Sequence, residues 1–319
     1  MFKVLIPQPI DSSGLDYLQA HSCEPVFCPT EAAAVQSLLP SCDACLSKTF
    51  FIENAWLAAA PRLKVVGKHG VGWDNVVDAD AAAALGIRVV NTPLANTNAV
   101  AEQTIGMMLA LARQLTAMDR AVRTSDHDFA DQNPGCELAG KTLGLAGLGR
   151  IGSTVARKAC YGLDMKILAY DPFARPAAFT GGITRVDSLA ELFSRSDVVS
   201  LHLPGHAATR GLIGRDLLAL LHRDALLINC ARGSVIDQDA LVNLLRARRI
   251  AGAALDVYDP EPLPAGHPLL SLDNVLLTPH SAALTREALQ RMSLQVCQGI
   301  VDVLEDREPA WPVNKTGRR

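Results

Sequence analysis

Arg232, Glu261 and His280 each stand a few residues past an apolar run in the last third of the chain. The runs are residues 225–231 (Ala-Leu-Leu-Ile-Asn-Cys-Ala), 250–258 (Ile-Ala-Gly-Ala-Ala-Leu-Asp-Val-Tyr) and 275–279 (Val-Leu-Leu-Thr-Pro). If these are neighbouring parallel strands, an arginine, a carboxylate and an imidazole converge at the carboxyl edge of one sheet, where open α/β sheets bind ligands. The guanidinium can clamp an anion and polarise a carbonyl, the imidazole can carry a proton, and the carboxylate can orient and tune the imidazole. Carbonyl reduction, and its reverse, need such a set from a protein.

A second constellation lies upstream. The run Leu143-Gly-Leu-Ala leads into Gly147-Leu-Gly149-Arg150-Ile151-Gly152, a G-x-G-x-x-G. A helix is predicted to follow, with Ile151, Val155 and Ala159 inward and Gly162 as its stop. The next apolar run, residues 166–170, ends in Asp171, and 171 − 152 gives 19 residues. Strand, glycine turn, helix, strand and acidic residue at that spacing form a dinucleotide fingerprint. Gly147 serves a tight turn, Gly149 a close approach of backbone to pyrophosphate, and Gly152 close helix–strand packing. A carboxylate at Asp171 suits the ribose hydroxyls of NAD and repels a 2′-phosphate, while Arg175 nearby leaves NADP tolerance open.

Elements must bring these residues together. Short apolar runs alternating with helical stretches predict βα units and parallel sheets. Strands are expected near residues 3–6, 25–27, 44–46, 63–67 and 87–90. An alanine-rich helix, 79–85, should stop at Gly86. One long helix is expected from Asn98, as its cap, to about Arg123, followed by an exposed loop over 124–138. A helix over 237–249 and another over about 285–304 complete the pattern, with leucines recurring at helical spacing. The expected architecture is α/β, with two doubly wound parallel-sheet domains: a Rossmann cofactor domain, 99–283, and a flavodoxin-like substrate domain formed discontinuously by 1–98 and 284–319.

The whole chain agrees with a two-domain enzyme. Its 319 residues exceed one domain of roughly 100–200 residues, and 49% hydrophobic with 20% charged residues is ordinary globular composition. A net charge of -3 gives no basic bias, so neither nucleic acid nor an anionic membrane is expected as a partner. The first residues read as a strand rather than a signal peptide, and no run approaches the roughly 20 apolar residues of a membrane span. A cytoplasmic protein is expected. Eight cysteines are too sparse for a disulfide scaffold. Cys42-x-x-Cys45 lacks the second ligand pair of a zinc site, so Cys42, Cys45, Cys23 and Cys28 are expected to be packing residues. No metal site is expected.

Residues 229–237 (Asn-Cys-Ala-Arg-Gly-Ser-Val-Ile-Asp), 256–262 (Asp-Val-Tyr-Asp-Pro-Glu-Pro) and 278–282 (Thr-Pro-His-Ser-Ala) resemble the signatures of the D-isomer-specific 2-hydroxyacid dehydrogenases. The resemblance extends to residues 69–75 (His-Gly-Val-Gly-Trp-Asp-Asn), 91–93 (Asn-Thr-Pro) and 100–102 (Val-Ala-Glu), and so covers almost the whole chain. It implies NAD-dependent interconversion of a small anionic 2-oxo acid and its D-2-hydroxy acid, with glyoxylate, hydroxypyruvate and 3-phosphoglycerate-like acids leading. It implies that Arg232 holds the substrate carboxylate, that His280 gives and takes the proton, and that Glu261 orients the imidazole and favours its protonated form.

The resemblance also places Arg150, Ile151, Leu203, Pro204, Cys230 and Ala231 at the cofactor, and Asp256 at the nicotinamide carboxamide. It puts Gly70, Val71 and Gly72 in a substrate loop, with Lys68, and Lys48 near it, as candidates for a second anionic group. It implies an active cleft between domains and a homodimer. Glu261 stands where formate dehydrogenases of this type carry glutamine, which disfavours formate. The end at Arg319 is expected to leave no regulatory domain, without excluding phosphoglycerate. The other histidines, including His202 and His267, are expected in structural or surface roles. Two alternatives share the scaffold: an NAD-sensing corepressor, and a dehydrogenase of a small oxyanion such as phosphite.

Overall fold

The computed structural model describes residues 1–315, so residues 316–319 of the expected C-terminal segment lie outside the described residues. The chain divides into two compact units, Met1–Asn96 with Ala283–Arg319, and Thr97–Ala282.

The first unit is built on five parallel strands: β1 (Phe2–Ile6), β2 (Cys23–Phe27), β3 (Ala44–Ser47), β4 (Val65–Lys68) and β5 (Arg88–Val90), in the order β2-β1-β3-β4-β5. This is the flavodoxin-like doubly wound order. One face is covered by the helices Ser12–Ala20 and Arg286–Leu304; Val296, Cys297, Ile300, Val301 and Leu304 pack with Val4, Ile6, Leu46, Val65 and Val90. Thr285 starts the longer helix by accepting the Ala288 N–H at 3.1 Å, a side-chain cap for an otherwise orphan donor. The opposite face packs Val35, Leu39, Ile52, Leu57 and Val76 around Cys42 and Cys45. Burial pushes all these thiols up, Cys42 and Cys45 included. Among the described residues no cluster could hold a metal ion, and no helix is long and apolar enough to cross a membrane.

The second unit has seven parallel strands: β6 (Thr142–Ala146), β7 (Lys166–Tyr170), β8 (Ile183–Arg185), β9 (Val198–Leu201), β10 (Leu226–Asn229), β11 (Gly252–Leu255) and β12 (Val275–Leu277). Their order is β12-β11-β10-β9-β6-β7-β8. The order reverses where β9 pairs with β6, the kind of switch point at whose carboxyl edge open α/β sheets bind ligands. Every residue of β9, β10 and β11 is buried. Strands covered on both faces read as continuous apolar runs, which is why they stand out in the sequence. Both units are thus doubly wound α/β sheets.

Three local expectations need correction. The helix from residue 98 to 123 is two helices, Thr97–Ala112 and Leu115–Arg123, broken where Gln114 takes a left-handed φ of 52°. The break is tertiary: the Cys136 N–H takes the Ala112 carbonyl at 2.8 Å, and the Gln114 amide donates to the Asn133 carbonyl. Asn98 lies inside the first turn, where its amide donates to Glu102 at 2.7 Å rather than capping the helix. Gly162 is within the helix Arg150–Leu163, and Asp164, with φ 52°, stops it.

Ile300 is fully buried between its helix and the first sheet. Ile300→Ala should therefore cost about 2–5 kcal/mol, read as a lower urea midpoint. A loss below about 1 kcal/mol would mean that this helix does not complete the core.

Candidate active site

The edge that carries the chemistry begins with register. Asn229, the last residue of β10, pairs with Leu255 of β11, which pairs with Leu277 of β12. Arg232 and His280 each lie three residues beyond this row (232 − 229 and 280 − 277), and Glu261 lies six beyond it (261 − 255). All three belong to the second unit. Glu261 Oε2 is 2.8 Å from His280 Nδ1, and both side chains are a little over one-third exposed. A carboxylate there accepts the Nδ1–H and leaves Nε2 to face a reactant. The Arg232 Nη1 donates to the Ala231 carbonyl at 2.8 Å, and Gly205 leaves room for its stem, since a Cβ there would lie 2.8 Å from Arg232 Cγ.

His280 has a backbone φ of 52°, a left-handed conformation uncommon for any residue with a side chain, and surrounding contacts hold it. Asp256 provides them. Its side chain is fully enclosed; Oδ1 accepts from Thr278 Oγ1 at 2.5 Å and the Ser281 N–H at 2.8 Å, and Oδ2 accepts the Ala282 N–H at 2.9 Å. The His280 N–H donates to the Asp256 carbonyl at 2.8 Å. Asp256 therefore braces the loop that carries His280.

Two further braces escaped sequence reasoning. Asn229 is buried; its Oδ1 accepts the Ala231 N–H and its Nδ2 donates to the Arg232 carbonyl, both at 3.0 Å. One amide thus fixes both sides of the peptide leading into Arg232. The Tyr258 hydroxyl lies 2.7 Å from the Thr278 carbonyl and 3.0 Å from the Leu255 carbonyl, its one proton shared between the ends of β11 and β12, and burial pushes it up to about 12. The available signal was a polar residue closing an apolar run, which many strands share. Cys230 packs beneath the edge, its Sγ 3.6 Å from Met107 Sδ, with burial pushing the thiol up to about 12.

The glycine loop fits a dinucleotide by three different geometries. Gly147 has φ 99° in the turn after β6. A Cβ on Gly152 would lie 2.3 Å from the Gly147 carbonyl oxygen, so that contact tolerates no side chain. A Cβ on Gly149 would meet nothing within 4 Å, and the helix Arg150–Leu163 starts there without a side-chain cap. The space beside Gly149 and the first-turn amides of Arg150 and Ile151 form a cradle for a phosphate. Asp171 closes β7 beside it; Oδ2 accepts the Leu148 N–H at 2.8 Å and Oδ1 accepts the Phe173 N–H at 2.9 Å.

Leu203, Pro204 and Gly205 follow β9 across the switch point. His202 lies under the loop, bonded to Ser200 Oγ at 3.0 Å, and enclosure pushes its imidazole down to about 4. It is neutral at physiological pH.

In the first unit, Lys68 is buried at the end of β4 and donates to the Lys48 carbonyl and, at 3.0 Å, to Asn75 Oδ1. Gly70, with φ 130°, donates its N–H to Thr92 Oγ1 at 3.1 Å, and its carbonyl accepts the Thr92 N–H at 2.9 Å. Thr92 thereby holds both polar backbone groups of Gly70, the residue that leads into Val71 and Gly72. Burial, then the charges of Lys48 and Lys68, pushes His69 down to about 4.

Known proteins resemble this chain in sequence and in fold. The family described as D-isomer specific 2-hydroxyacid dehydrogenase, NAD binding domain, matches residues 105–282. A glyoxylate reductase from Thermofilum pendens is 44% identical over 272 residues, covering 83% of this chain and 78% of that protein. A D-3-phosphoglycerate dehydrogenase from Archaeoglobus fulgidus is 38% identical over 305 residues, covering 94% of this chain and 57% of the relative. The chain spans about half the length of the curated phosphoglycerate dehydrogenases it matches. The structure of an NADPH-dependent glyoxylate/hydroxypyruvate reductase from Sinorhizobium meliloti superimposes with a TM-score of 0.87 at 31% identity, covering 99% of this chain and 98% of that one. With a family model matched over more than half of its length and relatives of this identity and coverage, the chain belongs to the D-isomer-specific 2-hydroxyacid dehydrogenase family.

Proposed function

We propose that the chain is an NAD(H)-dependent oxidoreductase interconverting a small 2-oxo acid and its D-2-hydroxy acid. The observation that carries this reading is the Glu261–His280 pair at 2.8 Å, in the same unit as Arg232 and the glycine loop. Gly147, Gly149, Arg150, Ile151, Gly152 and Asp171 would hold a nicotinamide dinucleotide, which when bound would supply the hydride in reduction and take it up in oxidation.

The residues of the chain do the rest. Arg232 clamps the substrate carboxylate with one edge of its planar fork and polarises the carbonyl with the other. His280 Nε2 donates a proton to the carbonyl oxygen in reduction and removes it in oxidation. Glu261 fixes the ring orientation and favours the charged ring. Asp256 and Asn229 act through the loops they brace, since a misplaced donor of about 1 Å can cost 100-fold. Leu203, Pro204, Cys230 and Ala231 border the cofactor in this reading.

The carboxylate of Asp171 favours NAD over NADP. The names of the relatives point to glyoxylate, hydroxypyruvate or a 3-phosphoglycerate-like acid. With two donors of Lys68 used inside its own unit, the unphosphorylated acids are favoured. The reading includes a cytoplasmic homodimer, on the strength of the family resemblance.

NADH oxidation against a panel of 2-oxo acids tests the assignment. Turnover of glyoxylate or hydroxypyruvate, at higher kcat/KM with NADH than with NADPH, is expected; inactivity on the whole panel would overturn it. The pH profile tests the pair separately. Reduction needs the charged imidazole, and Glu261→Gln removes the negative charge that favours it. The high-pH limb of reduction should therefore move to lower pH, with a loss on the order of 100-fold at neutral pH. A limb that stays in place would remove Glu261 from the mechanism.

A further inference from the structure

Glu261 occupies an exposed loop, so burial does not decide where its carboxylate points. Something else must fix it against His280. The chain is anchored on both sides: Tyr258 is tied to the ends of β11 and β12, and Leu263 packs against the apolar core. Between them, one side chain grips the backbone. Gln238 Nε2 donates to the Asp259 carbonyl at 3.1 Å, and Gln238 Oε1 accepts the Asp259 N–H at 3.3 Å. A primary amide that reads both polar groups of one residue fixes its position and direction together.

Gln238 is itself well placed to act as a fixed point. It opens the helix Gln238–Arg246, whose preceding residue Asp237 accepts the Ala240 N–H at 2.9 Å. Ala240, Leu241, Val242 and Leu245 bury that helix in the sheet's core. The helix follows directly on the turn that carries Arg232. The charged and titratable groups around the grip are Arg210, whose Nη1 pairs with Asp259 Oδ2 at 2.7 Å, and His267, whose Nε2 lies 3.1 Å from Gln238 Nε2. The Arg210–Asp259 pair is largely exposed and contributes little to holding the loop.

We propose that Gln238 is a positioning residue of the reaction: it sets the Asp259–Pro262 loop so that Glu261 meets His280. It links the element bearing the substrate clamp to the element bearing the partner of the proton carrier, and it touches neither substrate nor cofactor. The inference rests on the role given to Glu261 under the proposed function.

The test is a double-mutant cycle on the full chain with Gln238→Ala, Glu261→Gln and the combination. Gln238→Ala should lower kcat/KM for 2-oxo acid reduction about 10- to 100-fold. It should shift the high-pH limb downward, as Glu261→Gln does, and leave NADH binding within about twofold. In the Glu261→Gln background it should have almost no further effect, because coupled residues are non-additive. Gln238→Glu keeps the acceptor for the Asp259 N–H but turns a carboxylate oxygen on its carbonyl, and should recover less than half of the lost activity.

An unmoved pH limb in Gln238→Ala, or the same fold-loss in both backgrounds, would overturn the inference. Failure of the functional reading shows separately, as absence of wild-type turnover. In that case the ring resonances of His280 in an NMR spectrum decide: Gln238→Ala must move them in the direction that Glu261→Gln does, and unmoved resonances overturn the proposal.

Discussion

The site depends on one constraint: three adjacent parallel strands end in the same hydrogen-bonded row. Asn229, Leu255 and Leu277 are locked side by side by the ladders of β10, β11 and β12. A shift of one residue in any ladder would exchange the two faces of that strand, and it would carry Arg232, Glu261 or His280 about 3.3 Å along the strand direction. Because every residue of β10 and β11 is buried, such a shift would put apolar side chains against the wrong layer. The hydrophobic core therefore sets the register, and the register sets the chemistry.

Beyond the row the chain is loop, and loops need polar braces where no core can hold them. The second unit places one at each strand end: the Asn229 amide under Arg232, the Asp256 carboxylate under His280, and the Tyr258 hydroxyl between β11 and β12. Asp256 is the most demanding of these. A fully buried carboxylate is costly unless its oxygens are satisfied, and its three donors within the loop 278–282 meet that need while forcing the left-handed turn at His280. Each hydrogen bond of this kind contributes only about 1–3 kcal/mol to stability. Its larger effect is to leave the imidazole one orientation.

Much of this was legible in the sequence, for physical reasons. Strands buried on both faces appear as apolar runs, so β10 and β11 could be read and their ends located. The glycine loop could be read because each glycine answers a distinct steric demand, visible here at Gly147 and Gly152. What could not be read depends on partners distant in sequence. The break at Gln114 is imposed by residues 133–136 crossing the end of the helix. Asn98 looks like a cap until Glu102 is seen to take its amide. That Asp256 braces the loop of His280 through Thr278, Ser281 and Ala282 shows only in the structure. Gln238 carries no sequence signal, because the peptide it grips lies 21 residues away.

A single measurement confronts the central claim that Arg232 and His280 hold a 2-oxo acid at this edge in one orientation. The product of reducing a prochiral acid such as hydroxypyruvate with NADH is separated on a chiral phase. A clamp on the carboxylate and a proton donor on the carbonyl oxygen leave one face open to hydride, and membership of the D-isomer-specific family says which, so the account predicts the D-hydroxy acid alone. An L product, or a racemate, would contradict it.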